Sequence, residues 1–235
     1  MNIKFNRTDL AYNKNKKSKH LYFKDNVEVL ENKRNTHIIR FNCLNEELKD
    51  VLKNEINYFF NKVNNLKSIL IVGLGNDSFT ADSVGPKVIK QINVNAHLIN
   101  LGLNTNSIKV SALEPGVLGQ TGIDTTKIIA SVTNEIKPDM ILVIDSFITN
   151  NLKDNEKTIQ ITNDGIIPGS GIMGINSKIN KKSLGSPVIV IGVPTALEIT
   201  LNKQKLIVSS NSVDKYVADI SNLIANAINE VLYFS

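Results

Sequence analysis

Cysteine is almost absent from this chain. One thiol, Cys43, among 235 residues excludes an internal disulfide framework and fits a reducing cytoplasm. No base is implied beside Cys43, and it reads as an inert thiol rather than a nucleophile. Tryptophan is missing, and aromatic residues make up only 6%. None of them interleaves with lysines as a nucleic-acid-binding stripe would require, so direct nucleic-acid binding is not expected. No apolar run approaches the roughly 18 residues that a membrane span needs. The N-terminus, MNIKFNRTDLAYNKNKKSKH, has no secretory apolar core. Together these absences point to the cytoplasm. The three histidines are His20, His37 and His97. Two lie in the polar N-terminal part, and spacing gives the third no partner. A Ser/His/Asp arrangement is poorly supported, and no Cys/His pattern for zinc exists.

What is present divides unevenly. Residues 1–67 hold 14 Lys/Arg against 8 Asp/Glu, whereas residues 68–235 hold 13 against 14. The basicity belongs to the N-terminal part and reads as a solvated Lys/Asn surface. Apolar residues reach 42%, enough for one sizeable core. Residues 1–35 are expected to be irregular, and residues 36–235 to form a single α/β domain.

Within that domain, THIIRF over 36–41 suggests a strand. Asn45 to Val63 is a helix, with Asn45 as its cap, Glu46 and Glu47 at the positive end of its dipole, and an apolar face from Leu48 to Val63. Ile69–Val72, Met140–Ile144 and Pro187–Val193 are near-continuous apolar strands. Shorter strands are expected at His97–Leu101, Ile108–Leu113 and Thr158–Thr162. Helices are expected at Val84–Ile92, from Asp124 or Thr125 to Ile136, and from Val213 to Leu232. Apolar strands separated by helices predict an α/β fold, a mostly parallel sheet with helices on both faces.

The stretch SILIVGLGNDSFTADSVGPKV, residues 68–88, organises the rest. A buried strand runs into Gly73-Leu74-Gly75-Asn76, and Asp82 follows one turn later. Ser78 stands where a dinucleotide fingerprint needs its third glycine, and the ending of a phosphate-binding loop is also missing. Ligands of open α/β sheets sit beyond the carboxyl ends of the strands. Asp82 belongs there by position, and so does Asp145, which ends MILVI. If the two strands are neighbours, both carboxyls reach one rim of the sheet. Two nearby carboxylates cannot both ionise cheaply, so one keeps a proton while the other stays a base. Such a pair can activate water against a carbonyl or an amide. Each aspartate also has a structural reading, Asp145 as a turn former and Asp82 as a helix cap, and spacing alone does not choose. A carboxylate metal site at the two aspartates is equally open.

Five segments in order, IVGLGNDSFTADSVGPKV, VSALEPGVLGQTGI, ILVIDS, TIQITNDGIIPGSGI and LGSPVIVIGVPTALE, resemble the germination protease of spore-forming bacteria. RTDLA at residues 7–11 and the closing LIVSSNSVDKYVADISNLIANAIN are similar to that family's two ends. The resemblance implies an atypical aspartic endopeptidase, made as a zymogen and assembled as a homotetramer. Its substrates would be small acid-soluble spore proteins, and its place the cytoplasm of the forespore or spore core. The essential aspartates fall on Asp82 and Asp145. Asn76, Gly169, Ser170 and Gly171 are candidate substrate or oxyanion contacts. The fold is also similar to that of hydrogenase maturation endopeptidases, through Gly73, Gly75, Asn76, Thr80, Asp82 and Gly85. In that family the position of Asp82 binds metal with a second carboxylate and a histidine. No matching histidine is found in this chain, and neither a metal nor a cofactor is expected.

The sequence departs from the germination protease pattern in places. Ile167 stands where the family has histidine, Glu114 replaces a small apolar residue, and the region before Ser68 and the link from Glu198 to Lys205 are reduced. Six residues precede Arg7, so a prosegment of usual length is not expected. Two alternatives follow: a non-catalytic or regulatory sporulation protein of the same fold, and a metal-dependent maturation endopeptidase.

Overall fold

The computed structural model describes residues 18–24, 26–32, 35–103, 107–168 and 178–233. Among these, nine strands form one sheet: β1 (Lys19–Lys24), β2 (Val27–Asn32), β3 (Thr36–Arg40), β4 (Ser68–Gly73), β5 (Lys109–Leu113), β6 (Met140–Thr149), β7 (Thr158–Thr162), β8 (Val188–Leu201) and β9 (Gln204–Val208). The helices are α1 (Glu46–Phe60), α2 (Val84–Ile89), α3 (Ala96–Asn100), α4 (Leu118–Thr121), α5 (Thr125–Ile136), α6 (Lys181–Leu184) and α7 (Val213–Tyr233), with one 3-10 turn at Thr80–Asp82. Strand order is β1-β2-β3-β7-β8-β6-β4-β5, and β9 pairs with β8.

The centre of this sheet is parallel. β5, β4, β6 and β8 run the same way, and β1, β2, β3, β7 and β9 add antiparallel pairs, so the whole sheet is mixed. The central strands are apolar at every position because both faces are covered. Ile69 and Ile71 point into a cluster with α1, α2 and α7, through residues such as Leu52, Val88 and Ile224. Leu70 and Val72 point the other way, against Ile129 of α5 and Leu184 of α6. The α1 cap forms as its sequence indicates, with the Asn45 side chain accepting from the Leu48 N–H at 3.0 Å. Among the described residues no helix is long and apolar enough to cross a membrane.

Three local readings are corrected. Lys19–Lys24 and Val27–Asn32, expected to be irregular, form β1 and β2, with Val27, Val29 and Leu30 buried. Their outer face is polar, so each contributes few apolar positions and the alternation hides in a Lys/Asn-rich background. His97–Leu101, expected as a strand, lies in helix α3 and its cap. The seat beside β4 is already taken by β5, and Asn95 ties the start of α3 to β5, accepting from the Val110 N–H at 2.7 Å and donating to the Ile108 carbonyl at 2.9 Å. Finally, β8 runs on past Val193 to Leu201 and turns back as β9, where the sequence indicates only a link.

Candidate active site

β4 ends beside the middle of β6, which runs on together with β8 past Asp145 to Thr149, and the site is built at that step in the sheet. β4 ends at Gly73, whose register partner on β6 is Ile144, and the Leu74 N–H continues the ladder to the Ile144 carbonyl at 2.8 Å. The chain must then leave the sheet sharply. Gly75 does so with φ +118°, a left-handed conformation that a side chain would strain. A Cβ on Gly75 would also stand 1.9 Å from the Asp82 carbonyl oxygen. Gly73 and Gly85 also press together, since a Cβ on Gly73 would lie 2.4 Å from the Gly85 carbonyl oxygen. The glycines thus let the turn carrying Asp82 fold down onto the end of its own strand.

That turn is tied at several points. The Asn76 N–H donates to the Asp82 carbonyl at 2.9 Å, and the Asp82 N–H donates to the Phe79 carbonyl at 2.8 Å. From β8, the Thr195 hydroxyl, 1% exposed, donates to the Ala81 carbonyl. Asn76 itself is a loop tie: its Oδ1 accepts from the Ser78 N–H at 2.9 Å and from Gln120 Nε2 at 2.6 Å, which joins α4 to the turn.

Asp145 comes from β6, one residue beyond the rung shared with Gly73, and faces Gly192 of β8 in register. It is 5% exposed. The link between the aspartates is Ser146, itself 8% exposed. Its N–H donates to Asp145 Oδ1 at 2.9 Å, and its Oγ–H donates to Asp82 Oδ1 at 3.3 Å. One serine therefore touches both carboxyl groups, although they lie 63 positions apart in the chain. Among the described residues neither aspartate takes part in an ion pair.

Electrostatics separates the two acids. Burial pushes the Asp82 carboxyl up to about 6, while the Ser146 hydroxyl and the Asn76 N–H beside it pull the other way. Burial pushes Asp145 well above the usual carboxylate range, the charge on Asp82 adds to this, and the Ser146 N–H opposes it. The two acids are thus unequal: both carboxyls are pushed up, and Asp145 is the more deeply buried and also feels the charge of Asp82. Among the described residues no group of three or more His, Cys, Asp or Glu is placed to hold a metal ion.

Of the other residues singled out in the sequence, Asn76 stands in the Asp82 turn. Gly169, Ser170 and Gly171 lie outside the described residues. The chain enters and leaves that segment through a two-bond bridge between Ile166 and Ile179, at 2.9 and 2.7 Å. The sequence reading missed Ser146 and Thr195. Their signal was faint: Ser146 follows an aspartate and Thr195 a proline, and no spacing ties either to the Asp82 turn.

The family model for germination protease matches residues 14–203. This chain belongs to the germination protease family. It is 45% identical over 140 residues to the germination protease of Clostridium tetani, covering 58% of this chain and 43% of that protein. It is 38% identical over 160 residues to the germination protease of Geobacillus sp., covering 66% of this chain and 43% of that one. The germination protease match thus spans less than half the length of these relatives. Among solved structures it is similar to the NiFe hydrogenase maturation protease HycI from Thermococcus kodakarensis, with 19% identity and a TM-score of 0.40, over 72% of this chain and 98% of that one.

Proposed function

We propose that this germination protease family member is an atypical aspartic endopeptidase that degrades small acid-soluble spore proteins at germination, with Asp82 and Asp145 sharing one proton. The observation that carries the reading is the bridge through Ser146, which holds both carboxyls at one buried rim. The Asp82 carboxylate takes a proton from water as the water oxygen bonds to the scissile carbonyl carbon. Asp145 gives its proton to the carbonyl oxygen. As the tetrahedral species collapses, the C–N bond breaks and the departing nitrogen takes the proton from Asp82. A hydroxyl of the same species returns a proton to Asp145, which restores the starting state. Asn76, through its side-chain amide nitrogen, and the Gly169-Ser170-Gly171 segment are the proposed contacts to substrate. The family resemblance adds the zymogen, the homotetramer and the spore-core cytoplasm to this proposal.

The test is incubation of the purified chain with a small acid-soluble spore protein. Cleavage should fall by about a thousandfold or more in Asp82→Asn and in Asp145→Asn, in line with loss of a group acting in the transition state. Cleavage that persists in both variants would refute the mechanism.

A second reading is a folded, non-catalytic sporulation protein of the same family. Absence of any proteolysis by folded wild-type protein would favour it.

A further inference from the structure

We propose that Ser146 is the positioning residue that assigns the proton of the pair, its hydroxyl holding Asp82 as the carboxylate and leaving the proton on Asp145. The inference rests on the reading of these aspartates as the hydrolytic centre and goes on to say what makes them unequal.

The argument starts from the strand. β6 is buried from Met140 to Phe147, and its side chains fill the two cores alternately. A hydroxyl at Ser146 is out of place in that run unless it has a partner. A serine hydroxyl carries one proton and can donate it to one acceptor at a time. In this site the acceptor is Asp82 Oδ1 at 3.3 Å, while Asp145 receives the backbone N–H of the same residue at 2.9 Å. A donor aimed at a carboxyl stabilises its ionised form. Asp82 therefore has the serine hydroxyl and lies partly open to solvent, whereas Asp145 has one N–H and is closed off. Once Asp82 is charged, its field holds the proton on Asp145. Removing the hydroxyl takes away one of the features that make the two acids different.

Other charged groups do not set this division. On the turn and α2, Lys87 and Lys90 pair with Asp77 at 3.8 and 2.5 Å, and Lys87 also donates to Ser83 Oγ at 3.1 Å. α7, which packs on the same turn, carries Asp214, Lys215, Tyr216 and Asp219 near its start. None of these is a cause of the shifts at Asp82 or Asp145.

The experiment is a carboxyl-carbon NMR titration of the full chain labelled at aspartate, with Asp82→Asn and Asp145→Asn assigning the signals. Ser146→Ala should move the Asp82 midpoint upward by about one pH unit, the size expected for one lost hydrogen bond to a charged group. The acid limb of the cleavage profile should move with it, kcat should fall, and KM should stay put. Ser146→Thr, which keeps the hydroxyl, should restore the wild-type midpoint. If the alanine variant does not fold, Ser146→Cys supplies a weaker donor in nearly the same volume and should shift the midpoint the same way by less. An Asp82 midpoint that stays in place without the hydroxyl overturns the proposal. So does loss of cleavage in Ser146→Ala as deep as in Asp145→Asn, which would make the serine a reacting group. The titration needs no substrate, so it separates the two ideas. If the asparagine variants still cleave, the peptidase mechanism falls while the proton assignment is judged independently.

Discussion

Among the described residues, Glu55 and Asp145 are two acids buried to similar depth that fare differently. Glu55 of α1 is 4% exposed, close to the 5% of Asp145. Glu55 is saturated: its Oε1 accepts from the Tyr22 hydroxyl at 2.7 Å, and its Oε2 is joined to His37 Nδ1. His37, 3% exposed, lies in turn between Tyr58, stacked at 4.9 Å, and Phe59, edge-on at 4.9 Å. Asp145 has a single backbone N–H and another carboxylate for company. Burial alone therefore does not mark a reactive acid. Where a buried carboxyl has a full set of partners it fastens elements together, and the Glu55 cluster joins β1 and β3 to α1. Where partners are withheld, burial favours the protonated form, which is the form the proposed chemistry needs at Asp145.

The sharpest way to break this contrast is to unpair the saturated acid. Glu55→Ala leaves the buried His37 and the half-buried Tyr22 hydroxyl without their shared partner. Removing one member of a buried pair costs about 3–5 kcal/mol, and urea unfolding should show a loss of that size. Cleavage per folded molecule should be unchanged, because Glu55 has no part in the proposed chemistry. A loss below about 1 kcal/mol, the range of exposed pairs, would mean that the cluster is not the fastening it looks like.

The unsaturated pair should behave in the opposite sense. Asp82 keeps its proton up to about 6 in the folded chain, against an ordinary value of 3.8. Between those values the folded state binds more protons than the unfolded state, so stability falls as pH rises through that window and stays lower above it. At about 1.4 kcal/mol per pH unit, Asp82 alone accounts for up to about 3 kcal/mol. Asp145 acts in the same direction and extends the fall to higher pH. The double variant Asp82→Asn/Asp145→Asn should flatten this slope and gain stability relative to wild type at pH 7.5, while losing cleavage. Urea unfolding of both proteins at pH 4.5 and 7.5 reads the difference. Identical slopes would erase the distinction between the two clusters.

The contrast also explains what could be read from the chain. Ile69–Val72, Met140–Ile144 and Pro187–Val193 are legible because a strand covered on both faces has to be apolar at every position. Asp145 is legible because it interrupts such a run at its end. β1 and β2 are hidden because antiparallel strands with one polar face dilute their signal, and β9 because all its residues are exposed. α3 is hidden because five residues containing Leu98 and Ile99 suit a short strand as well as one helical turn. The Glu55 cluster draws on three separate elements, and no spacing rule joins Tyr22, His37 and Glu55. Ser146 is the hardest case. A serine after the aspartate that closes an apolar run is unremarkable until the glycine turn brings Asp82 to its hydroxyl.

The smallest expected effect tests how the unsaturated site is held at all. Asp82 has one side-chain partner, Ser146, against the two that hold Glu55, so its position depends more on the backbone of its turn. Besides Gln120 on Asn76, a contact that fixes this turn from outside is the Thr195 hydroxyl on the Ala81 carbonyl, reaching across from β8. Thr195→Val keeps the branched shape and removes the donor, leaving a buried carbonyl unsatisfied. The cost should be about 1–2 kcal/mol in urea unfolding, well short of that at Glu55. Because the tether acts on the turn rather than on substrate, kcat should fall with KM little changed, and the Asp82 midpoint should drift down toward the ordinary carboxylate range as the turn opens to water. A valine variant with wild-type kcat and an unmoved midpoint would mean that the glycine packing under the turn holds Asp82 unaided. The reactive acid would then be as firmly built into its scaffold as the structural one, and the two would differ only in the donors they are given.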